Sequence, residues 1–274
     1  SAADASVAVA AVRAQTAATS TTTRTVAVRL RGVSPLGPLW VQHWQLENGL
    51  NVLLAPDPSS PVLAYHTWIR VGSRHEAGGR KGLAHLLEHL MFKATRSLPA
   101  GTFDRILERG GASPNAATWL DWTCFHQVVP AAMLAVIAGM EADRLGSLRL
   151  DRRAFRAELD VVRNERAERV DSDPDGQLEE RFHDLLYGDH PYGHPVLGRD
   201  ADLAAVSLKE VEAFYRRWYA PDRVWLVLSG RLEPAEALRT IAGVYGGLKA
   251  TSVADVVPPP VSASSSERGE ELAT

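Results

Sequence analysis

The segment GLAHLLEHLMF, residues 82–92, places Leu83, Leu86, Leu87 and Leu90 at spacings of three and four, the period of a helix buried along one side. A chain containing it must supply a core for that helix to lie on. The same short stretch carries His85 and His89 at i and i+4, one turn apart on one face, with Glu88 at i+3 beside them. Two neutral imidazoles so placed can ligate one Zn2+ at about 2.0 to 2.1 Å, and a neighbouring carboxylate can reach a metal-bound water without being a ligand itself. With nine His and 33 acids in 274 residues, a His-x-x-acid-His pattern is expected by chance only about 0.04 times.

Composition narrows the chemistry around this segment. The single cysteine, Cys124, can close no intrachain disulfide and supply no four-thiolate site. A metal must therefore be held by His and carboxylates; Cys124 itself, in the apolar run TCFH, reads as a small buried residue. A net charge of -3 gives no positive field to steer the chain toward nucleic acid. The longest apolar stretch, residues 131–140, lies between Pro130 and Glu141 and is too short for a membrane span.

Along the chain, HWQLENGLNVLLAPD alternates about Asn48 and Gly49, the pattern of a hairpin whose turn needs positive φ. A third strand is expected over 62–71, the leucine-rich helix follows, and Pro99 and Gly101 open a short helix over 102–109. Strands are then expected near 112–117 and 120–128, helices over 130–145 and 151–170, and an amphipathic segment at QLEERFHDLLYG. Ser207 with Glu210 forms a capping box before LKEVEAFYRRWY; a buried strand VWLVLSG and a helix over 234–245 close the pattern. Pro191, Gly193 and Pro195 keep His190 and His194 from sharing a helix face. This order predicts an α+β fold, an antiparallel or mixed sheet with helices packed on one face. Residues 1–39 read as a flexible tail or trimmed targeting remnant, 40–248 as the folded domain, and the proline- and serine-rich 249–274 as a flexible linker.

Three segments in this order, GLAHLLEHLMFKAT, GGASPNAATWLDWTCF and FRAELDVVRNERAERVD, resemble the pitrilysin or insulinase-like zinc peptidases, which include the mitochondrial processing peptidases; His-x-x-Glu-His is the inverted-zincin signature. The resemblance implies that His85, His89 and Glu165 are zinc ligands, that Glu88 is the general base, and that Glu158 orients a ligand. Glu158 and Glu165 are seven residues apart and project from one face of one helix, about two turns from each other. The resemblance also implies that the strand holding Asn115 and Ala116 pairs with an extended substrate. Asn115 either aligns a substrate carbonyl or satisfies its own backbone in a turn, and Phe92 either lines the pocket or belongs to the core. Phe125 stands where relatives often carry tyrosine.

The activity so implied is endopeptidase cleavage of short or unfolded polypeptides by a zinc-activated water, Glu88 taking its proton. The alternative is a weakly active or non-catalytic processing or assembly subunit that keeps the metal site. The family builds its enzymes from two homologous halves, so a second half or partner chain carrying a substrate-binding Arg/Tyr pair is expected. Compartment stays open: the bacterial periplasm, secretion and the cytoplasm fit, and an organellar matrix fits less well.

Overall fold

The computed structural model describes residues 9–14, 24–76, 80–112 and 114–261. The strands are β1 (Val9–Ala14), β2 (Arg24–Leu36), β3 (Leu39–Leu46), β4 (Asn51–Pro56), β5 (Val62–Ile69), β6 (Asn115–Thr118), β7 (Thr123–Pro130) and β8 (Val224–Gly230). The helices are α1 (Leu83–Leu90), α2 (Thr102–Arg109), α3 (Leu134–Ser147), α4 (Arg152–Arg166), α5 (Pro174–Tyr187), α6 (Asp200–Ala205), α7 (Leu208–Trp218) and α8 (Pro234–Tyr245). One mixed sheet joins the strands in the order β1-β2-β3-β4-β8-β5-β7-β6, with β4 and β8 parallel and the other neighbours antiparallel. The helices pack to one side, giving the expected α+β fold. Alternation shows which face they cover: Leu63, Tyr65 and Ile69 of β5 and Val224, Leu226 and Leu228 of β8 are fully buried, while Ala64, His66 and Trp68 of β5 and Trp225, Val227 and Ser229 of β8 are only half-buried. VWLVLSG, expected as a buried strand, is fully buried on one face and half-buried on the other.

The hairpin turns at Asn48 and Gly49, and Gly49 has φ 89°, a backbone state that glycine adopts without strain. Asn48 Nδ2 also donates to the carbonyls of Tyr245 (2.9 Å) and Leu248 (3.1 Å), tying the turn to the end of α8. The boundary expected at residue 40 is corrected. Residues 24–36 form β2, with Val26 and Val28 in the core, because TVAVRL alternates and supplies two inward valines. Val9–Ala14 pairs with β2; residues 1–8 and 15–23 of the expected tail lie outside the described residues. Beyond α8, residues 251–261 have no regular secondary structure but are held to the domain at Asp255, which corrects the expectation of a free linker there. The remainder, 262–274, lies outside the described residues.

Candidate metal centre

Helix α1 packs against β6, α4 and α7, so its polar side faces a neighbouring helix and the sheet edge together. The burial of its leucines turns His85 and His89 toward α4, whose Asp151 caps it by accepting from the backbone N–H groups of Arg153 (3.0 Å) and Ala154 (2.9 Å). Glu165 lies in the last turn of α4, and Ala167–Asp171 continues as a π-helical turn, a distortion frequent at functional sites. Glu165 Oε2 is 3.6 Å from His85 Nε2 and 3.4 Å from His89 Nε2. One donor atom from each of the three residues lies within 4.8 Å of the other two. Ligands held at about 2.1 Å around a tetrahedral zinc are about 3.4 Å apart. Spacing and donor chemistry, two imidazoles and a carboxylate, thus both fit Zn2+.

The surrounding groups differ in what they hold. Glu158 Oε2 is 3.4 Å from His89 Nδ1, and Glu158 Oε1 is 2.7 Å from Lys93 Nζ; this leaves the Nε2 of His89 directed at Glu165. Glu165 Oε1 is 3.1 Å from Arg169. Glu88 stands apart from the three converging donors, and its Oε2 accepts from the Thr118 hydroxyl of β6. Burial raises the Glu88 carboxyl above its ordinary value, against the opposing Thr118 bond. Burial, reinforced by neighbouring His89, lowers His85 to about 4, which keeps its imidazole neutral and able to bind a metal. Burial also pulls His89 down, but Glu165, Glu88 and Glu158 outweigh it and raise this imidazole overall. The bond from His89 holds Glu165 below the usual carboxylate range.

These groups open into a cleft of about 1010 Å³ bounded by α1, β6, α4 and α5. Asn115 and Ala116 lie on β6, the edge strand of the sheet, and both line the cleft. Asn115 Oδ1 accepts from the N–H of Ala116 at 2.8 Å, so in this structure it satisfies neighbouring backbone. Phe92 does not line the cleft. It packs with Phe103 and Phe125 (ring centroids 6.4 and 5.9 Å), because α1 ends at Leu90 and the following turn carries its ring inward under Arg144. The pocket-lining expectation for Phe92 is corrected accordingly. Thr118, Lys93 and Arg169 were not anticipated from sequence; for Arg169 alone a local signal existed, its i+4 spacing from Glu165.

Comparison with known proteins agrees with this geometry. Residues 51–200 match the family description Insulinase (Peptidase family M16), and residues 205–271 match Peptidase M16 inactive domain. The second match begins inside the same sheet domain, since β8 lies between β4 and β5. The chain is 37% identical over 186 residues to the zinc protease PqqE of Helicobacter pylori, covering 68% of this chain and 42% of that protein. A crystal structure of a protease from Helicobacter pylori superposes with a TM-score of 0.75 at 32% identity, over 81% of this chain and 53% of that one. The first half of the periplasmic protease PqqL from Escherichia coli shares the fold, with a TM-score of 0.75 at 23% identity over 85% and 51% of the two chains. The chain spans about half the length of the curated relatives it matches. With more than half of its residues matched by the family, this chain belongs to the insulinase family of peptidases, peptidase family M16.

Proposed function

We propose that this chain is the metal-bearing part of a zinc endopeptidase that hydrolyses short or unfolded polypeptides. The observation that carries the reading is the division of labour on α1: His85 and His89 converge with Glu165, whereas Glu88, on the same turn, is left out of that set and faces the cleft beside an edge strand. His85, His89 and Glu165 would hold a zinc ion, which would supply Lewis acidity toward a water and a peptide carbonyl. Glu88 takes the proton from the attacking water and returns it to the departing amine; a carboxyl raised by burial is suited to both directions. Thr118 fixes which way the Glu88 oxygens point, and Glu158 fixes the ring of His89. The unpaired side of β6 offers backbone N–H and C=O groups to an extended peptide, which explains a preference for unfolded chains. A second homologous half, carrying an Arg/Tyr pair, completes the substrate chamber.

The test is metal analysis and peptide cleavage with the full-length protein. One zinc per chain and chelator-sensitive cleavage of a quenched peptide series are expected. Glu88→Gln retains stoichiometric zinc and loses turnover by about 10² to 10⁴-fold, whereas His85→Ala and Glu165→Ala lose zinc. Metal loss from Glu88→Gln contradicts its role as base. Bound zinc without cleavage, with the second half present, refutes the peptidase reading and favours an assembly subunit.

A further inference from the structure

Helix α1 has only eight residues and begins at Gly82, which has no side chain to cap the exposed N–H groups. So short a helix is not stable on its own, yet its third residue is His85, whose Nε2 must hold position to a few tenths of an ångström. The missing cap comes from a residue six positions before the helix begins to turn. Glu76, only 5% exposed, accepts from the backbone N–H of Gly82 through Oε2 (2.9 Å) and from that of Ala84 through Oε1 (2.7 Å). Its own carbonyl accepts from Lys81 Nζ at 3.1 Å. Two bonds from one rigid carboxylate to N–H groups two residues apart fix both the height of the first turn and its rotation about the helix axis. A single cap bond fixes only the first. The residue following the second of these donors is His85.

Glu76 is itself held. Its N–H donates to Ser73 O at 3.1 Å, and the adjacent His75 is buried edge-on against Trp218 (ring centroids 4.8 Å) with its Nδ1 accepting from Gly72 N at 3.1 Å. We propose that Glu76 is a positioning residue for the metal centre, a carboxylate staple that sets the orientation of α1 and thereby the direction of the His85 imidazole. This rests on the reading of His85 as a zinc ligand, and it adds a residue that touches neither metal nor substrate.

The experiment uses the full-length protein with Glu76→Gln, which keeps the size of the side chain but turns an amide NH2 toward one of the two N–H donors. Zinc affinity is measured by chelator competition, site geometry by the visible spectrum of the Co2+-loaded protein, and the staple itself by hydrogen exchange. Glu76→Gln is expected to raise the zinc dissociation constant about 10 to 100-fold, to alter the cobalt bands, and to speed exchange of the α1 amides. Tyr65→Phe serves as the control for plain destabilisation, because it removes the buried hydroxyl contact to Tyr245 (3.0 Å) and leaves zinc affinity and the cobalt spectrum unchanged. Zinc affinity within about twofold of wild type and an unaltered cobalt spectrum overturn the proposal. Should Glu76→Gln fail to fold, Glu76→Asp keeps the charge but shortens the side chain so that it cannot reach both N–H groups, and it is held to the same outcomes. A wild-type protein that binds no zinc refutes the metal reading alone; the staple is then judged on hydrogen exchange of α1 in Glu76→Gln, and unchanged exchange refutes it.

Discussion

Between α3 and strands β5 and β7 lies a buried ion pair whose disruption has a calculable cost. Glu141 and Arg144, one turn apart on α3, are 1% and 2% exposed. The Glu141 carboxylate accepts from Thr67 Oγ1 (2.8 Å), Gln127 Nε2 (3.1 Å), Arg144 Nε (3.1 Å) and Arg144 Nη2 (2.5 Å). The guanidinium carbon lies 4.2 Å from the ring centre of Phe125 and 4.7 Å from that of Phe103, so Glu141 is its only acidic partner among the described residues. Glu141→Gln keeps the shape but removes the charge, and its NH2 then faces two donors. Loss of one member of a buried pair costs about 3 to 5 kcal/mol, because the other charge stays buried without compensation. For a domain of this size that lowers the Tm by about 6 to 20 °C. Thermal and urea unfolding are followed with chelator present, so that bound metal does not mask the difference. The double variant Glu141→Met with Arg144→Met recovers only the part of the loss due to the uncompensated charge, since Thr67 Oγ1 and Gln127 Nε2 still lose their acceptor. A loss below about 1 kcal/mol for Glu141→Gln, or a double variant no better than the single, refutes the argument that the pair is held by mutual compensation.

Other expectations follow from the site and its surroundings. Glu158→Ala frees the Nδ1 of His89 and weakens zinc binding about 10 to 100-fold without abolishing it; competition titration showing no change removes Glu158 from that role. Burial pushes the Cys124 thiol up to about 12, so thiol reagents at pH 8 label the native protein slowly and the denatured protein at once; fast native labelling contradicts the burial. Burial pushes the Asp255 carboxyl up, but bonds from Arg223 and His75 outweigh it and leave its pKa below the ordinary 3.8. A depressed folded-state pKa adds stability above the unfolded-state value and loses it as pH falls through the folded one. The advantage of wild type over Asp255→Asn, present at pH 7, therefore shrinks below pH 3.8; an advantage that persists there contradicts the ion pairing of Asp255 with Arg70 and Arg223.

What could be read from sequence divides by the distance over which residues act. His85, Glu88 and His89, and separately Glu158 and Glu165, lie on single helices, where spacing translates directly into a shared face; the Ser207 capping box, with Ser207 N donating to Glu210 at 2.8 Å, belongs to the same class. Thr118 could not be read this way. Its position opposite Glu88 depends on the register of β6 against β7, which pairs Thr118 with Thr123 and Asn115 with His126, and no spacing within β6 reports that register. Alternation along the same strand puts Ala116 and Thr118 on one face and Asn115 on the other, which is why the asparagine singled out by its chemistry turns to neighbouring backbone while Thr118 donates to Glu88. Strand β2 was hidden for a related reason. Only Val26 and Val28 of this strand join the core, and it is pairing of Val28 with Leu46 of β3 and of Val26 with Val12 of β1 that fixes them there. Glu76 shows the limit from the other side: it is close in sequence to the helix it caps, but lies outside it, so no helical periodicity relates the two. The candidate donors are thus legible because each helix fixes its own residues locally, whereas the residues that touch them from outside depend on how sheet and loops close around those helices.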